Sequence, residues 1–580
     1  MQNRIFFLLL PVLGALGLIL SLGRVALDPS LSNVFYNADS LFFSVIYQEL
    51  FLKSTANFLI TLKGWIWTPA LYFFPDLVQY FGLRTIYLFL GKGAWEATHL
   101  TYAFLQWSLV LFGILYLLKT VYKEEFGIQR SAVLLAFGYF AGSILFFFKK
   151  DLFVFLPGFH GGNLTSLSWA WAFYYQWEEK KNAKSFCVLA FFVFVFALSD
   201  LIFLPYYLVP LLSLHLFQLL RERNLLKAKR IAYFYFPIFL GIVFARIAYQ
   251  ALRKNPFVFF PGTLVSANVG NGSKTAKLEI YNLFHSFLVF TRENWIYLVV
   301  LLLCGTALYV LRKKEEEINA RKSGVGREDE KERESLKEVR EEDKVRKSRE
   351  KEREVENTKS RELEFLFLSL GILVPVLFLC YGFSLGFTGR EGIQEIGRYF
   401  GSILLSSLGL SFLVLRKLAD HPNRRVALGI LLLVLIGSLS LFSISQGIGL
   451  VYSSPKLDCL DKYARERNWK RGLASFWYVR PMRIFSQQKL EPDDYLYDLM
   501  LFYWQNNLSW FERKEQYRFA ILDGLDEKKV IETFGQPKEV LNCENIKIFS
   551  FSEEDPSKSL KFVEENQEKI NLWKLSNSRF

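Results

Sequence analysis

Long apolar runs separated by short polar loops make up most of the chain. Eleven of these runs approach the roughly 20 residues that a helix needs to cross the hydrocarbon core of a membrane. They lie near 5–23, 95–118, 131–149, 163–178, 185–200, 201–220, 231–250, 294–311, 364–386, 398–415 and 425–445. No alternating pattern of the kind that builds a membrane barrel is found in the sequence. The pattern predicts a mainly α fold, a polytopic transmembrane helical bundle of about eleven spans.

Three stretches depart from this pattern and divide the chain. A long first outer loop, 24–94, follows the first span within a transmembrane domain, 1–455. A tract at 312–364 holds 18 basic and 18 acidic residues but no apolar stripe, which predicts a solvated single helix or a disordered segment. The moderately polar region 456–580 is long enough for a core of its own and predicts a small α/β domain.

Local patterns in this C-terminal region predict individual elements. Residues 458–469, 495–511 and 526–534 suit helices, and the last of these is stopped by Gly535. Residues 546–551 alternate between apolar and polar side chains as a half-buried strand does.

The positive charge of the chain follows its loops. The formal net charge is +14, and the tract 312–364 contributes none of it because its basic and acidic residues are equal in number. With eleven spans, five basic loops fall on one face, which the positive-inside rule makes cytoplasmic. The N-terminus is then predicted inside and the C-terminus outside, and nucleic-acid binding is a poor explanation of the charge. The five loops lie at 119–130, 180–184, 221–230, 312–364 and 416–425.

Two aspartates of the first outer loop are candidate catalytic residues. Asp39 lies among aromatic residues in NVFYNADSLFF, where a carboxylate suits a general base. The alternative is a helix cap, with Asn37 or Asp39 starting a helix at 40–52. Asp76, in FFPDLV, is also flanked by apolar residues, although Pro-Asp is often only a turn or a helix start.

Two further candidates lie at other outer turns. Asp200, in ALSDLIFLP, is at the corner between two short spans, and an ionisable group near membrane depth is a functional hypothesis by default. A cap at a tight turn between helices is the alternative. His160 lies in PGFHGGN, where the glycines let the backbone approach a ligand closely, and a plain turn is the competing interpretation.

Basic residues on the predicted outer face run against the positive-inside bias. Arg253 and Lys254 end the seventh span, Arg390 lies in the loop before the tenth span, and Arg398 begins that span. A guanidinium group can bind two phosphate oxygens at once, so these residues are candidates for binding a lipid phosphate. The alternative is a solvated rim. Phosphate binding is favoured over a solvated rim only for Arg398, which is followed by Tyr399.

Other site chemistry is poorly supported by the sequence. No Walker motif, HExxH or GxGxxG is found, which leaves a soluble nucleotide site without support. The five histidines show no spacing typical of metal ligands. Cys459 and Cys543 both lie in the C-terminal region and are expected to form a disulfide if the outer compartment is oxidising.

The layout resembles the GT-C superfamily of integral-membrane glycosyltransferases, which use polyprenyl-phosphate-linked sugars. In that superfamily a long outer loop after the first span carries a catalytic acid, and Asp39 holds that place here. The resemblance implies that Arg398, with Arg253 and Lys254, binds the lipid phosphate, and that Asp200 is the acidic residue near a span end. Segments of the C-terminal region look like the outer domain of some uncharacterised bacterial members, namely GLASFWYVRPMRIFS (472–486), YWQNNLSWF (503–511), RFAIL (518–522) and FGQPKEVLNCENIKIFSF (534–551).

The resemblance implies a sugar transfer on the extracytoplasmic face of a bacterial inner membrane. The donor would be a polyprenyl-phosphate sugar, the partners would be membrane lipid and lipid-linked sugar, and nucleic acid would not take part. Asp39 would be the general base, and tryptophans of the first loop would stack on sugar rings. Asp39 is a lone aspartate at the place where many members show a paired acidic motif, so the use of a divalent metal stays open.

Two other functions compete with this one. A transporter or flippase of lipid or polysaccharide would need charged groups near the bilayer midplane and a repeat between halves, and neither is seen in the sequence. A non-catalytic membrane assembly protein, whose C-terminal region binds a partner, is compatible with the composition.

Overall fold

The fold is mainly helical, with two small sheets, in a computed structural model of the chain. The structure describes residues 2–53, 61–91, 93–122, 127–222, 225–255, 257–260, 276–325, 338–384, 397–552 and 556–577.

Nine helices within the described ranges are long and apolar enough to cross a membrane. This agrees with a multi-pass membrane protein, and each of the nine coincides with a predicted apolar run. They are Arg4–Leu22, Ala94–Tyr122, Ile128–Phe148, Phe203–Arg221, Ile231–Arg253, Tyr281–Ile318, Thr358–Ser384, Gly397–Leu418 and Pro422–Ser445.

The other two predicted spans are also helices, but they fall short of these criteria. Gly162–Lys180 carries several polar residues in its first two turns, including Asn163, and these are buried inside the protein. Ala183–Ser199 is apolar but has only 17 residues. Eleven predicted runs are therefore helical, and nine of them have the length and composition of a span.

Three of the basic loops meet at one end of the helical bundle. Arg130 pairs with Asp420 at 3.1 Å, and Lys417 pairs with Glu315 at 3.0 Å. These contacts join three of the five predicted basic loops, as a shared membrane face requires.

The charged tract extends two of the helices beyond the bundle at this end. The preceding helix runs from Ala276–Val325 and the following one from Glu338–Ser384, so the described part of the tract is helical. Arg312 contacts Glu364 at 2.6 Å and Arg361 contacts Glu316 at 3.2 Å, which ties the two helices together. The described part of the tract is therefore helical, as one of the two alternatives predicted. It belongs to two helices that contact each other, however, and not to a single solvated helix.

The first outer loop folds into short helical pieces at the opposite end of the bundle. Asp28 caps the first piece by accepting a hydrogen bond from the Ser30 backbone nitrogen at 3.0 Å. The remaining pieces are irregular in places, with π-helical and 3₁₀ turns between regular ones. The pieces are Pro29–Phe35, Phe42–Tyr47, Gln48–Lys53, Phe73–Leu77, Val78–Ile86 and Tyr87–Leu90.

A three-stranded sheet brings distant parts of the chain together at this end. Strand β1 (Trp65–Ile66) of the first loop pairs in parallel with β2 (Val258–Phe259) and antiparallel with β5 (Asn506–Asn507) of the C-terminal region. The Trp67 backbone nitrogen donates to the Phe259 carbonyl at 2.8 Å. We call this end of the bundle the domain face. These three segments therefore lie at the same end of the bundle.

The C-terminal region forms an α/β domain on the domain face. Its sheet has the strand order β4-β3-β6-β8-β7, with parallel pairing on one side of β6 and antiparallel pairing on the other. The strands are β3 (Gly472–Ala474), β4 (Asp493–Asp494), β6 (Phe519–Ile521), β7 (Glu539–Cys543) and β8 (Ile546–Ser550). Four helices accompany them: Pro455–Arg467, Phe476–Phe485, Glu527–Phe534 and Ser557–Ser576.

One element of this domain differs from its prediction. The stretch 495–511 was expected to be a helix, but it holds an isolated bridge between Tyr495 and Leu501, strand β5 and the 3₁₀ turn Leu508–Trp510. Its aromatic residues suggested a helix, yet Asn506 and Asn507 pair with the first outer loop, and a strand in one segment requires an extended partner.

Other predictions for this domain hold. The helix Glu527–Phe534 begins after Asp526, which accepts hydrogen bonds from the Lys528 and Lys529 backbone nitrogens, and it ends at Gly535. Strand β8 matches the alternating run. Cys459 and Cys543 form the predicted disulfide, which fixes the helix Pro455–Arg467 to β7.

Candidate functional site

Asp39 lies in a tight turn between two helical pieces of the first outer loop. Asn37 and Ser40 hold this turn, because the Asn37 side chain accepts from the Ser40 backbone nitrogen at 2.9 Å and the Ser40 hydroxyl donates to the Phe35 carbonyl at 2.7 Å. The next helix, Phe42–Tyr47, has no side-chain cap. Asp39 therefore does not cap it, whereas Asn37 stabilises the turn before it.

The carboxylate of Asp39 is partly exposed and carries no hydrogen bond from any part of the chain that the structure describes. Two guanidinium groups, those of Arg398 and Arg480, are close enough to interact with it electrostatically. A carboxylate with free lone pairs beside two positive charges can accept a proton or face a polar ligand.

Arg398 approaches Asp39 from the turn Gly397–Phe400, at the start of a membrane-spanning helix. Its Nε is buried and, among the described residues, has no hydrogen-bond partner. Its guanidinium lies 5.4 Å from the ring centroid of Tyr399 and also interacts with Tyr72. An arginine with a donor left unsatisfied is suited to an anionic ligand.

A buried chain of polar groups continues from Arg398. Nδ1 of His160 contacts the Asp200 carboxylate, and Nε2 of His160 lies 3.0 Å from the Tyr72 hydroxyl. Burial raises the pKa of Tyr72, so this hydroxyl stays protonated and donates to His160. Asn163 also donates to Asp200, at 2.7 Å. The two ring nitrogens of His160 thus join the Tyr72 hydroxyl to the Asp200 carboxylate.

His160 reaches this position through an unusual backbone. Its φ is +63°, a left-handed conformation that residues other than glycine rarely adopt. The ring of Tyr399 packs against it, with centroids 5.1 Å apart. The strained conformation is held by the buried contacts on both ring nitrogens, so His160 is more than a surface turn residue.

Asp76 is fully enclosed next to this chain. The Tyr102 hydroxyl donates to its carboxylate at 2.6 Å, and the Gly158 backbone nitrogen donates at 3.2 Å. Burial raises the pKa of Asp76 to about 7, with the charge of Asp200 acting in the same direction. A Cβ on Gly162 would lie 2.5 Å from the Asp76 carboxylate, which explains the glycine at this position.

The structure therefore brings five sequence candidates into one cluster, which we call the aspartate cluster: Asp39, Asp76, Asp200, His160 and Arg398, with Tyr72 between them. The remaining candidates lie elsewhere. Arg253 and Lys254 are exposed at a helix end, and Arg253 acts on Tyr249. Arg390 lies outside the described residues.

Several residues of this site were not found by sequence reasoning. Tyr72 and Asn163 complete the contacts of His160 and Asp200. Arg480, in the C-terminal domain, donates to the Ala38 carbonyl beside Asp39. One signal for Arg480 was present in the sequence: an arginine in the apolar-aromatic segment FWYVRPM, where a buried charge needs a partner.

The cluster also has no set of three metal-ligating side chains. Within the ranges that the structure describes, no three His, Cys, Asp or Glu residues are grouped closely enough to hold a metal ion. The chemistry discussed below uses the carboxylate, guanidinium, imidazole and phenol groups described above.

Comparison of the sequence with protein-family models and with curated proteins finds no match. The chemistry of this chain has to be inferred from the geometry of its own residues.

Proposed function

We propose that the protein is a membrane glycosyltransferase that moves a sugar from a polyprenyl-phosphate donor to an acceptor hydroxyl on the extracytoplasmic face. One observation carries the proposal: the Asp39 carboxylate is partly exposed, without a hydrogen-bond partner among the described residues, and within electrostatic range of Arg398. Arg398 begins a membrane-spanning helix, the depth at which a lipid phosphate lies. Base and phosphate site are thus adjacent.

In this mechanism Asp39 is the general base. It removes the proton from the acceptor hydroxyl as the oxygen attacks the anomeric carbon of the donor sugar. The bond between the anomeric carbon and the phosphate oxygen breaks, and polyprenyl phosphate leaves with the bonding electron pair. The Arg398 guanidinium stabilises the negative charge that grows on the phosphate in the transition state.

The buried members of the cluster have supporting roles. Asp76 is enclosed and accepts two hydrogen bonds, so Asp39 is better placed to meet a substrate. The Tyr72–His160–Asp200 chain lies next to Arg398 and holds Tyr72 in place against it. Arg253 and Lys254 would form an outer positive rim that attracts the anionic donor.

The same proposal specifies the membrane arrangement. All eleven apolar helices cross or enter the bilayer, the domain face is extracytoplasmic and the basic loops are cytoplasmic. Two facts support it: three of the basic loops meet at one end, and the first loop, β2 and the C-terminal domain meet at the other.

The test is a transfer assay with purified protein in proteoliposomes. Synthetic polyprenyl-phosphate sugars are supplied with a panel of acceptors, and release of polyprenyl phosphate is followed by mass spectrometry. Wild-type protein should cleave at least one donor, and Asp39→Asn should not. Movement of an intact lipid-linked sugar across the bilayer, without cleavage, would instead indicate a flippase.

A matched control separates chemistry from folding. Asp498→Asn makes the same change at an exposed aspartate of the C-terminal domain, where the asparagine oxygen can still accept from the Met500 nitrogen. This variant should transfer sugar at the wild-type rate. Equal rates for Asp39→Asn and wild type would remove Asp39 from the mechanism.

A further inference from the structure

Arg480 connects the C-terminal domain to the turn that carries Asp39. It lies on the helix Phe476–Phe485 and is only 1% exposed. One terminal nitrogen donates to the Ala38 carbonyl, 442 positions away in the chain, and also to the Gln505 side chain at 2.8 Å. The other terminal nitrogen donates to the Gln505 carbonyl. The guanidinium therefore joins two separate backbone segments.

All of these hydrogen-bond partners are neutral. Asp39 and Asp494 act on Arg480 electrostatically, but neither forms an ion pair with it. The rings of Phe476 and Phe42 lie 4.5 Å and 5.4 Å from the guanidinium and partly compensate its burial. Burial lowers the pKa of Arg480 to about 10, so the group is still charged at neutral pH.

Burying a charge without a contacting carboxylate is costly, and neutral acceptors and aromatic rings offset that cost only in part. Other arginines of this domain show the usual solution. Arg471 and Arg483, for example, contact the Asp493 carboxylate directly. The positive charge of Arg480 thus serves the environment of Asp39 rather than the packing of the domain.

We propose that Arg480 is a positioning residue that fixes the backbone at Ala38 and the charge environment of Asp39, so that the C-terminal domain supplies part of the site. This inference rests on the proposed function for its consequence in catalysis. The placement of Asp39 by Arg480 can be measured without any transfer assay.

The independent measurement uses a thiol at the position of Asp39. Asp39→Cys is made in a background in which the three free cysteines, Cys187, Cys304 and Cys380, are replaced by alanine. The pH dependence of maleimide alkylation gives the pKa of the introduced thiol, because the thiolate is the reactive form. The charged groups that act on this position are Arg480 and Arg398, and Asp494 acts on Arg480.

Adding Arg480→Gln to this background should raise the pKa of the thiol and slow alkylation at pH 7 by about tenfold, which corresponds to about one pKa unit. Arg480→Lys keeps the charge and should restore most of the rate, and it also serves if the glutamine variant folds poorly. The control is Arg483→Gln, on the same helix, which contacts Asp493 and not Ala38. It should loosen the domain without changing the alkylation profile.

In the transfer assay, Arg480→Gln should lower kcat by about tenfold or more with little change in KM for the donor, because substrate contacts are retained. An alkylation profile that Arg480→Gln leaves unchanged would overturn the positioning role, whatever the wild-type activity. A wild-type protein that transfers no sugar, combined with a shifted profile, would overturn the proposed function alone.

Discussion

Asp39 and Asp493 lie in the same half of the molecule, and both are surrounded by arginines, but their surroundings differ. Asp493 is fully buried and accepts hydrogen bonds from Arg471, Arg483 and Arg513 at 2.9 to 3.0 Å. The Tyr517 hydroxyl adds another at 2.9 Å. Asp39 is partly exposed and its two arginines interact with it without contact.

The difference separates a carboxylate whose hydrogen-bonding capacity is used from one that can still accept a ligand. The lone pairs of Asp493 are saturated, so it can bind nothing else, and it neutralises positive charge that would otherwise be buried unpaired. Those of Asp39 are free within the described chain and face positive groups that could hold an anionic substrate. The number of arginines near a carboxylate is therefore a poor indicator of its role. A better indicator is whether the carboxylate already accepts hydrogen bonds from those arginines.

The largest expected effect comes from Asp39→Asn. It removes the general base, and transfer should fall by about 10³-fold in the proteoliposome assay. The melting temperature should stay within about 1 °C of wild type, because no described hydrogen bond is lost. A large fall in melting temperature would mean that Asp39 is structural after all.

The same substitution at Asp493 should have the opposite result. Asp493→Asn leaves three guanidinium groups without their anion, and the C-terminal domain should lose about 3–5 kcal/mol of unfolding free energy. Limited proteolysis and thermal unfolding of the purified protein measure this loss. The comparison between the two sites fails if Asp493→Asn is as stable as the exposed control Asp498→Asn.

Arg398→Gln tests one of the two guanidinium groups that interact with Asp39. The transition state loses its charge stabilisation, and transfer should fall by about 10²-fold. Arg465→Gln, at an exposed arginine of the C-terminal domain, is the matched control and should be fully active. Equal activity of the two variants would exclude Arg398 as the phosphate-binding group.

The smallest effect concerns the pH dependence of stability. Burial raises the pKa of Asp76 and of Asp494 to about 7, above the value of 3.8 for an unperturbed aspartate. The folded state then binds more protons than the unfolded state, so stability falls as the pH rises from about 4 to 7. Asp76→Asn should remove part of this fall, a change of about a few degrees in melting temperature.

Melting temperatures measured at pH 5 and pH 8 provide the check. Asp494→Asn should remove a second part of the fall, and the double variant most of it. A wild-type protein that becomes more stable between pH 5 and pH 8, with no response to either substitution, would contradict this origin of the pH dependence.

Local patterns were sufficient for much of the fold. Apolar runs gave the helices because a membrane span needs only length and hydrophobicity, and both can be read from consecutive residues. The helix Glu527–Phe534 could be predicted because its cap, Asp526, and its stop, Gly535, are adjacent to it in the chain. The charge pattern grouped five basic loops, and three of them contact one another at one end of the bundle.

Sequence patterns identified the individual residues of the aspartate cluster but not the contacts between them. Asp39, Asp76, Asp200, His160 and Arg398 each stood out as a polar residue in an apolar or glycine-rich setting. Their roles could not be ranked, because a helix cap, a turn and a base have the same local sequence. Only the fold shows that Asp76 is enclosed by Tyr102 whereas Asp39 is accessible.

The sequence by itself determined the multi-pass helical class of the molecule and the Cys459–Cys543 pair, since these depend on hydrophobicity and composition along the chain. The tertiary structure decided what joins Asp39 to the rest. Arg480 and Ala38 are 442 positions apart, and 495–511 becomes extended because β1 pairs with it. Contacts at such separation depend on packing and hydrogen-bond satisfaction throughout the fold, which no local pattern contains.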